Sequence, residues 1–158
     1  HITVDCLKRL ENMEKIKLSN CYFGYIDFNN FKKLKSLCLH GPSMLKVDIS
    51  RFCNLVNLEY LELIRLEIKN IDSLKNIKNL KTLKLIRCKN MFVETLNNVV
   101  NENVECLHFC FCGLILEDGE MRNWGNSDIV DFTDLRLSKF KKLKEIGLSR
   151  VANISFPV

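Results

Sequence analysis

The sequence predicts an α/β solenoid, and two observations on its apolar residues lead to that prediction. The skeleton φxxφxxLxxLxL, in which φ is apolar, returns about six times at intervals of roughly 22 residues. Clear copies span residues 52–63 and 74–85, and the last copy spans 137–148. Within each copy the spacing of apolar residues changes from three to two. A fixed period of this kind indicates a stack of units, each of which buries its apolar face against its neighbours.

The two halves of the repeat predict two kinds of local structure. The LxxLxL half is typical of a short half-buried strand, so Leu61 and Leu63 should point inward and Tyr60, Glu62 and Ile64 outward. The preceding apolar residues recur at every third position, which suits a 3₁₀ or helical turn. A repeat this short has room for a strand and a turn but not for a strand and a full helix.

Composition and charge limit the classes of protein to be considered. The chain has 158 residues, 47% of them hydrophobic, and 24 Lys and Arg against 19 Asp and Glu give a net charge of +5. This is less concentrated charge than a dedicated nucleic-acid module carries. No run approaches the roughly 18 apolar residues of a membrane span, and no secretory leader is visible. We expect a single repeat domain over 1–158, cut from a longer protein, because the first and last repeats are incomplete.

The eight cysteines are predicted to be reduced thiols. Cys38, Cys106 and Cys110 fall on predicted strands, and Cys21 and Cys88 occupy the same position in separate repeats. Scattered single cysteines suit small buried apolar positions in a reducing compartment. The pattern therefore indicates an intracellular, cytoplasmic protein.

The segment LEYLELIRLEIKNIDSLKNIKNLKTLKL, residues 58–85, resembles the leucine-rich repeats of SDS22-like and internalin-like proteins, whose period is about 22 residues. The match includes Leu66, Ile68 and Ile71, which fall where that pattern has inward-pointing loop residues. It covers nearly the whole chain except 117–130. The resemblance implies a horseshoe with a parallel concave β-sheet, short 3₁₀ or helical convex segments, and a role in binding proteins.

One position departs from the pattern of that family. The asparagine that usually hydrogen-bonds the loop backbone of the next repeat is replaced by Cys21, Pro42, Leu66, Cys88, Cys112 and Val151. We expect a weaker backbone ladder and a less regular horseshoe.

Two registers compete near the end of the chain. Residues 129–137 also fit φxxLxL, but FKKLKEIGL at 140–148 repeats FKKLKSLCL at 31–39 almost residue for residue, which favours the later register. The excess chain before it is a polar insertion, EDGEMRNWGNSDIV at 117–130, which carries the only tryptophan, Trp124. We expect this insertion to be a protruding loop.

The outward residues of the predicted sheet suggest a binding site. Neighbouring strands lie about 4.8 Å apart, so equivalent positions form columns across the sheet. Apolar and basic side chains meet in these columns, and arginines that follow two neighbouring strands suit a carboxylate or phosphate. We predict a partner-binding site formed by Tyr60, Glu62, Ile64, Arg65, Thr82, Lys84, Ile86, Arg87, His108 and Trp124. The alternatives are that isolated exposed apolar residues are ordinary and that nearby glutamates neutralise the arginines.

A lysine-rich ridge on the outer turns provides an alternative function. Its members are Lys32, Lys33, Lys75, Lys78, Lys141 and Lys142. Such a ridge would contact RNA or phosphate in a ribonucleoprotein or other large assembly, or it is simply a solvated surface. No aromatic residues interleave with the lysines, so base stacking is not expected. A third possibility is an adaptor whose effector domain lies outside this sequence.

The motif CLHFCFC at 106–112 suggests a metal site, but its spacing argues against one. Cys106, His108 and Cys110 share one strand face and spread over about 13 Å, too far for ligands of one tetrahedral zinc. No nucleophile elbow, phosphate-binding glycine loop or zinc-protease motif is present. We therefore predict a protein that is not an enzyme and has no metal, cofactor or small-molecule substrate.

Overall fold

The strands form two parallel sheets in a computed structural model that describes residues 10–24, 26–89, 102–110, 130–131, 137–149 and 151–152. The larger sheet contains, in order, β1 (Lys15–Ser19), β2 (Ser36–Asp48), β3 (Tyr60–Lys69), β4 (Thr82–Ile86), β5 (Cys106–Cys110) and β7 (Glu145–Ser149). The smaller sheet pairs β6 (Val130–Asp131) with β8 (Val151–Ala152). The larger sheet grows by one strand per repeat, as a solenoid requires. No helix in the described part of the chain is long and apolar enough to cross a membrane.

The strand register places leucines next to leucines in adjacent repeats. Leu61 of β3 pairs with Leu37 of β2 and with Leu83 of β4, and all three side chains are buried. Tyr60 and Glu62, on the other face of β3, are half-buried. The predicted alternation of inward and outward residues is confirmed, since successive side chains of a strand point to opposite faces.

Short 3₁₀ segments form where apolar residues recur at every third position. They span Phe28–Asn30, Ile49–Phe52, Ile71–Asn76 and Leu137–Lys139. Two of them are preceded by an aspartate whose carboxylate accepts a backbone N–H two residues later: Asp27 from Asn29 and Asp48 from Ser50. These bonds satisfy N–H groups that the first turn leaves unpaired. The predicted 3₁₀ character of the convex segments is confirmed, because three-residue spacing eclipses the apolar side chains on one side of such a turn.

Phenylalanines fill the space between the sheet and the first two convex turns. The rings of Phe28 and Phe52 meet edge to face with centroids 5.3 Å apart, and Phe31 lies 6.3 Å from Phe28. All three are buried. The next repeat has Leu74 at the equivalent position, also buried. The convex turns are thereby packed against the back of the sheet.

The strands β2 and β3 continue past the concave face and pair a second time. After a register shift between His40 and Leu45, Leu45 pairs with Leu66 and Val47 with Ile68. Leu66 and Ile68 are buried, at the positions where the family pattern has inward loop residues. The shift arises because β2 has several more residues at this corner than β3. The horseshoe is irregular here, as expected, but its backbone remains paired.

An asparagine ladder is present, although at a different position from the one that the family pattern uses. The side-chain amides of Asn57, Asn79 and Asn103 donate to the carbonyl oxygens of Lys32, Val56 and Lys78 over 2.7, 2.7 and 2.8 Å. These bonds lie in the turn before each strand, not in the loop after it. At the substituted loop position, the thiol of Cys88 donates to the carbonyl of Leu63 at 3.3 Å. The expected weakening of the loop ladder stays a prediction, and the convex turns carry a separate asparagine ladder.

The later of the two registers near the end of the chain is confirmed. Leu107 of β5 pairs with Ile146 of β7, whereas Val130 in β6 pairs with Val151 outside the larger sheet. The predicted insertion at 117–130 lies outside the described residues apart from the backbone of its last residue. Trp124 lies outside them as well, so its role remains a prediction.

Six cysteines lie in the described residues, and all are thiols and not disulfides: Cys21, Cys38, Cys53, Cys88, Cys106 and Cys110. This agrees with the prediction for these six positions. Cys6 and Cys112 lie outside the described residues.

Candidate binding face

The outward residues of the larger sheet form the predicted columns. The central column contains Lys17, Cys38, Glu62, Lys84, His108 and Gly147, each the register partner of the next. The flanking columns begin at Lys15 and at Ser19. Each outward residue of the inner strands β2 to β5 therefore lies, on both sides, beside a residue from another repeat.

Glu62 is the centre of a polar cluster in the middle of this face. Its carboxylate accepts hydrogen bonds from the Cys38 thiol at 2.8 Å and from the Tyr60 hydroxyl at 2.7 Å, and His40 Nε2 lies 3.6 Å away. Burial alone would raise the pKa of Glu62. The hydrogen bonds from Cys38 and Tyr60, with the nearby charges of His40 and Lys84, outweigh burial and lower that pKa. Glu62 is therefore an anion that its neighbours hold in place.

The two donors to Glu62 remain protonated at neutral pH. Burial, followed by the hydrogen bond to Glu62 and its charge, raises the pKa of the Cys38 thiol to about 12. The same causes, in the same order, raise the pKa of the Tyr60 hydroxyl. A protonated thiol is a poor nucleophile, so Cys38 acts in this cluster as a hydrogen-bond donor.

An apolar patch with a cation lies beside the cluster. Ile64 and Ile86 are register partners, and both are half-buried. The ammonium of Lys84 lies 5.9 Å from the centroid of the Tyr60 ring, within the range of a cation–π contact. Thr82, the register partner of Tyr60, borders the patch. The structure therefore places Tyr60 beside Thr82 and Lys84, and it pairs Ile64 with Ile86 about 13 Å further along the strands.

Two arginines follow the patch at the same edge of the sheet. Arg65 and Arg87 come directly after the paired Ile64 and Ile86, and both are exposed. Their φ angles are 58° and 54°, in the left-handed region that residues other than glycine seldom adopt. Both arginines therefore stand at equivalent backbone turns of adjacent repeats.

A second polar cluster lies between β5 and β7. His108 Nε2 is 2.8 Å from Glu145 Oε1, and Cys106 also hydrogen-bonds Glu145. The bonds from His108 and Cys106 lower the pKa of Glu145. Burial, and then the charge of Glu145, raises the pKa of Cys106. His108, which was predicted to contact a partner, is therefore already held by a carboxylate.

Gly147 makes room for the second cluster. A Cβ atom at Gly147 would lie 2.7 Å from Nδ1 and 2.9 Å from Cε1 of His108. Real Cβ contacts are not that short, so the His108 ring takes this position only because residue 147 has no side chain.

Possible metal ligands converge across strands, which was not predicted from the sequence. Cys38, His40 and Glu62 place one ligand atom each within 4.8 Å of one another, and so do Cys106, His108 and Glu145. The prediction of no metal rested on the spacing of residues along a single strand, which does not apply between strands. The available signal is a Cys-x-His pair with a glutamate in the next repeat at the cysteine position.

The lysine-rich ridge is less uniform than the sequence suggests. Lys33 and Lys142 donate to the side-chain oxygens of Asn12 and Asn103, and Lys141 lies 3.9 Å from Glu102. Beside the ridge, charges alternate along one column in the pairs Glu14–Lys35, Glu59–Lys81 and Glu105–Lys144, at 3.1, 2.8 and 2.8 Å. Lys32, Lys75 and Lys78 are exposed. The positive charge of the ridge is therefore interrupted by acidic and amide groups.

Comparison with solved structures identifies the fold. Internalin C2 of Listeria monocytogenes superposes with a TM-score of 0.62 at 16% sequence identity, covering 92% of this chain and 56% of that one. The internalin inlF of the same organism gives a TM-score of 0.55 at 20% identity, covering 89% of this chain and 34% of the other. The chain thus spans about half of the first neighbour and a third of the second. No protein-family model and no curated protein matches the sequence.

The predicted leucine-rich-repeat horseshoe is confirmed by these neighbours and by the parallel sheet. The resemblance to internalin-like repeats, inferred from residues 58–85, is confirmed at the level of the fold. Identities this low carry no information about a partner.

Proposed function

We propose that the chain is a non-catalytic scaffold that binds a protein partner through the concave face of its sheet. The observation that carries this proposal is that Tyr60 at one end of the concave strands, and the paired Ile64 and Ile86 at the other, expose part of their apolar surface on a face lined elsewhere by polar groups. Partly exposed aromatic and aliphatic side chains, rimmed by charge, are typical of protein-binding sites.

The charges around the patch define the chemistry of the partner. Lys84, Arg65 and Arg87 are basic, whereas Glu62 is already bonded by Cys38 and Tyr60 and Glu67 lies 3.8 Å from Lys46. A partner segment that places an apolar side chain over the isoleucines and a carboxylate near the arginines would complement this surface. His108 and Trp124 complete the proposed contact set.

A charge reversal tests the proposed site. Replacing Arg65→Glu and Arg87→Glu together should weaken binding of an acidic partner by at least about tenfold, because hot-spot arginines contribute at that scale. The matched control, Lys75→Glu with Lys78→Glu, changes the net charge equally on the convex side and should leave affinity unchanged. Affinity-purified partners are quantified for each variant, after circular dichroism has shown that the folds agree. Equal binding by all three forms would refute the concave site.

The Tyr60→Ala and Arg87→Ala double variant tests the apolar part of the same site. It removes contact area without removing a fully buried side chain, and we expect it to abolish partner capture. Tyr60→Phe is the informative control, since it keeps the ring and loses only the hydrogen bond to Glu62. If the double variant captures partners as the wild type does, the binding site lies elsewhere.

The exposed Lys32, Lys75 and Lys78 support a second candidate function, contact with RNA or phosphate in a large assembly. Binding of generic RNA should then fall steeply with salt and should weaken in the Lys75→Glu and Lys78→Glu variant. No RNA binding at low salt would exclude this function. The acidic and amide residues that interrupt the ridge make it the weaker of the two proposals.

The thiols support an intracellular, cytoplasmic location as part of the same proposal. Six cysteines without disulfides are expected in a reducing compartment. The protonated state of Cys38 and Tyr60 supports the absence of nucleophilic catalysis on this face.

A further inference from the structure

We propose that the concave face binds two Zn²⁺ ions, each held by a cysteine, a histidine and a glutamate from two adjacent strands. The first site consists of Cys38 and His40 on β2 with Glu62 on β3. The second consists of Cys106 and His108 on β5 with Glu145 on β7. This inference does not rest on the proposed partner binding, although Glu62 and His108 belong to both sets of residues.

The distances in the first site fit a zinc ion. Ligand atoms bound at about 2.0–2.3 Å from a tetrahedral zinc lie roughly 3.3–3.8 Å from one another. Cys38 Sγ is 2.8 Å and His40 Nε2 3.6 Å from the same oxygen of Glu62, and all three ligand atoms lie within 4.8 Å of one another. Only small side-chain adjustments separate this arrangement from a coordination shell.

His40 provides an independent observation at the first site. Its Nε2 atom is shielded from solvent and has no hydrogen-bond partner among the described residues, since 3.6 Å to Glu62 is too long for such a bond. A polar atom that is shielded from solvent and has no hydrogen-bond partner is uncommon in folded proteins, and a bound ion is one explanation for it. The other ring nitrogen, Nδ1, lies 3.4 Å from Ser19 Oγ. A metal-ligating histidine usually has its second nitrogen held in this way.

The second site repeats the design of the first. In both, cysteine and histidine are two residues apart on one strand, and the glutamate is the register partner of the cysteine on the next strand. His108 Nε2 lies 2.8 Å from Glu145 Oε1, and the three ligand atoms again lie within 4.8 Å. The glycine at position 147 makes room for the His108 ring.

The donor set selects the class of metal. Magnesium and calcium prefer oxygen ligands alone, whereas zinc accepts sulfur, nitrogen and oxygen together. On binding, the cysteine thiol loses its proton to solvent, a sulfur–zinc bond forms, and the glutamate exchanges its hydrogen bond with the thiol for a bond to the ion. Three protein ligands leave a fourth position open toward the concave surface, where water binds.

Metal titration of the reduced, chelator-treated and untagged chain tests the proposal. Co²⁺ should produce the absorption band of a thiolate–metal bond, and Zn²⁺ should displace Co²⁺ at two equivalents per chain. Cys38→Ser and Cys106→Ser should each remove one equivalent, and the double variant should remove both. Cys53→Ser, an exposed thiol outside both sites, should retain two equivalents. Cys110→Ser should also retain two equivalents of Zn²⁺. A site built from the residues of β5 alone would instead need the Cys110 thiol.

Thermal unfolding gives a second readout that does not depend on thiol chemistry. Zn²⁺ should raise the Tm of the wild type and of Cys110→Ser, because a ligand that binds the native state stabilises it. Glu62→Gln, which preserves the shape of the side chain, should lose one equivalent of Zn²⁺ and keep the native circular dichroism spectrum. Absence of the thiolate band in the wild type would overturn the proposal, as would two equivalents retained by the Cys38→Ser and Cys106→Ser double variant. If Cys106→Ser removes one equivalent of Zn²⁺ and Cys38→Ser removes none, the first site is refuted.

Discussion

Asn79 is hydrogen-bonded to the repeat before it: its side-chain amide donates to the carbonyl oxygen of Val56 over 2.7 Å. Asn57 and Asn103 make the corresponding bonds to their own preceding turns. Each bond joins two consecutive convex turns at a backbone group that the sheet does not reach. The hydrogen bonding between repeats therefore extends from the concave sheet to the convex side.

Replacing Asn79 by alanine should lower the free energy of unfolding by about 1 kcal/mol, the usual net contribution of one such hydrogen bond. The control is Asn76→Ala, an exposed position in the same repeat, where we expect a change within about 0.5 kcal/mol. Urea unfolding of both variants measures the difference. Equal losses at the two positions would show that the Asn79 bond contributes nothing specific.

Leu83→Ala should be strongly destabilising. Leu83 is buried in β4 with leucines from the repeats on both sides as register partners, and removal of a buried leucine side chain costs about 2–5 kcal/mol. Thr82→Ala, on the outward face of the same strand, should cost clearly less. Chemical denaturation provides both values, and a similar loss for the two variants would contradict the assignment of faces.

Gly41 is predicted to be intolerant of any side chain. A Cβ atom there would lie 2.5 Å from Leu66 Cδ2 and 3.1 Å from the Arg65 carbonyl oxygen, at the corner where β2 changes register. We expect Gly41→Ala to lower the Tm and to cost about 1–3 kcal/mol through overpacking. The matched control is Gly24→Ala, where the added Cβ has no neighbour within 4 Å. A stable Gly41→Ala variant would mean that Leu66 can move aside.

Asp48 should make the stability of the chain depend on pH in the acid range. Hydrogen bonds from the Ser50 hydroxyl and from Asn70 lower the pKa of its carboxyl group in the native state. The unfolded chain therefore takes up this proton at higher pH than the native chain. The stabilisation is complete above the unfolded pKa of about 3.9 and is lost as the pH falls through the lower native value.

The variant Asp48→Asn isolates this contribution. Its stability difference from the wild type should be constant near neutral pH and should shrink as the pH falls below about 4. Asp72→Asn, which removes a surface charge from the next 3₁₀ segment, serves as the control. Urea midpoints measured across this range give the two curves, and parallel curves for wild type and Asp48→Asn would rule out the linkage.

The architecture was predictable because it depends on the order of apolar residues along the chain. Leu61 and Leu63 can be buried together only in a strand, and the three-residue spacing before them can be buried only in a tight turn. The register at 137–148 was also predictable, since the close copy at 31–39 specifies the same packing. The columns of outward residues followed from these leucine positions without further information.

What the sequence alone determined, then, is which residues face the core and which positions become neighbours in the sheet. It did not determine the bonds that those neighbours make. Cys38 and Glu62 are one repeat apart, and so are Asn79 and Val56, yet each pair is joined by a hydrogen bond that depends on side-chain direction and distance. The same holds for the second polar cluster, which needs the absence of a Cβ at Gly147. These features arise only when the repeats stack, because stacking brings together side chains that are more than 20 residues apart in the chain, and local sequence preferences do not act over that separation.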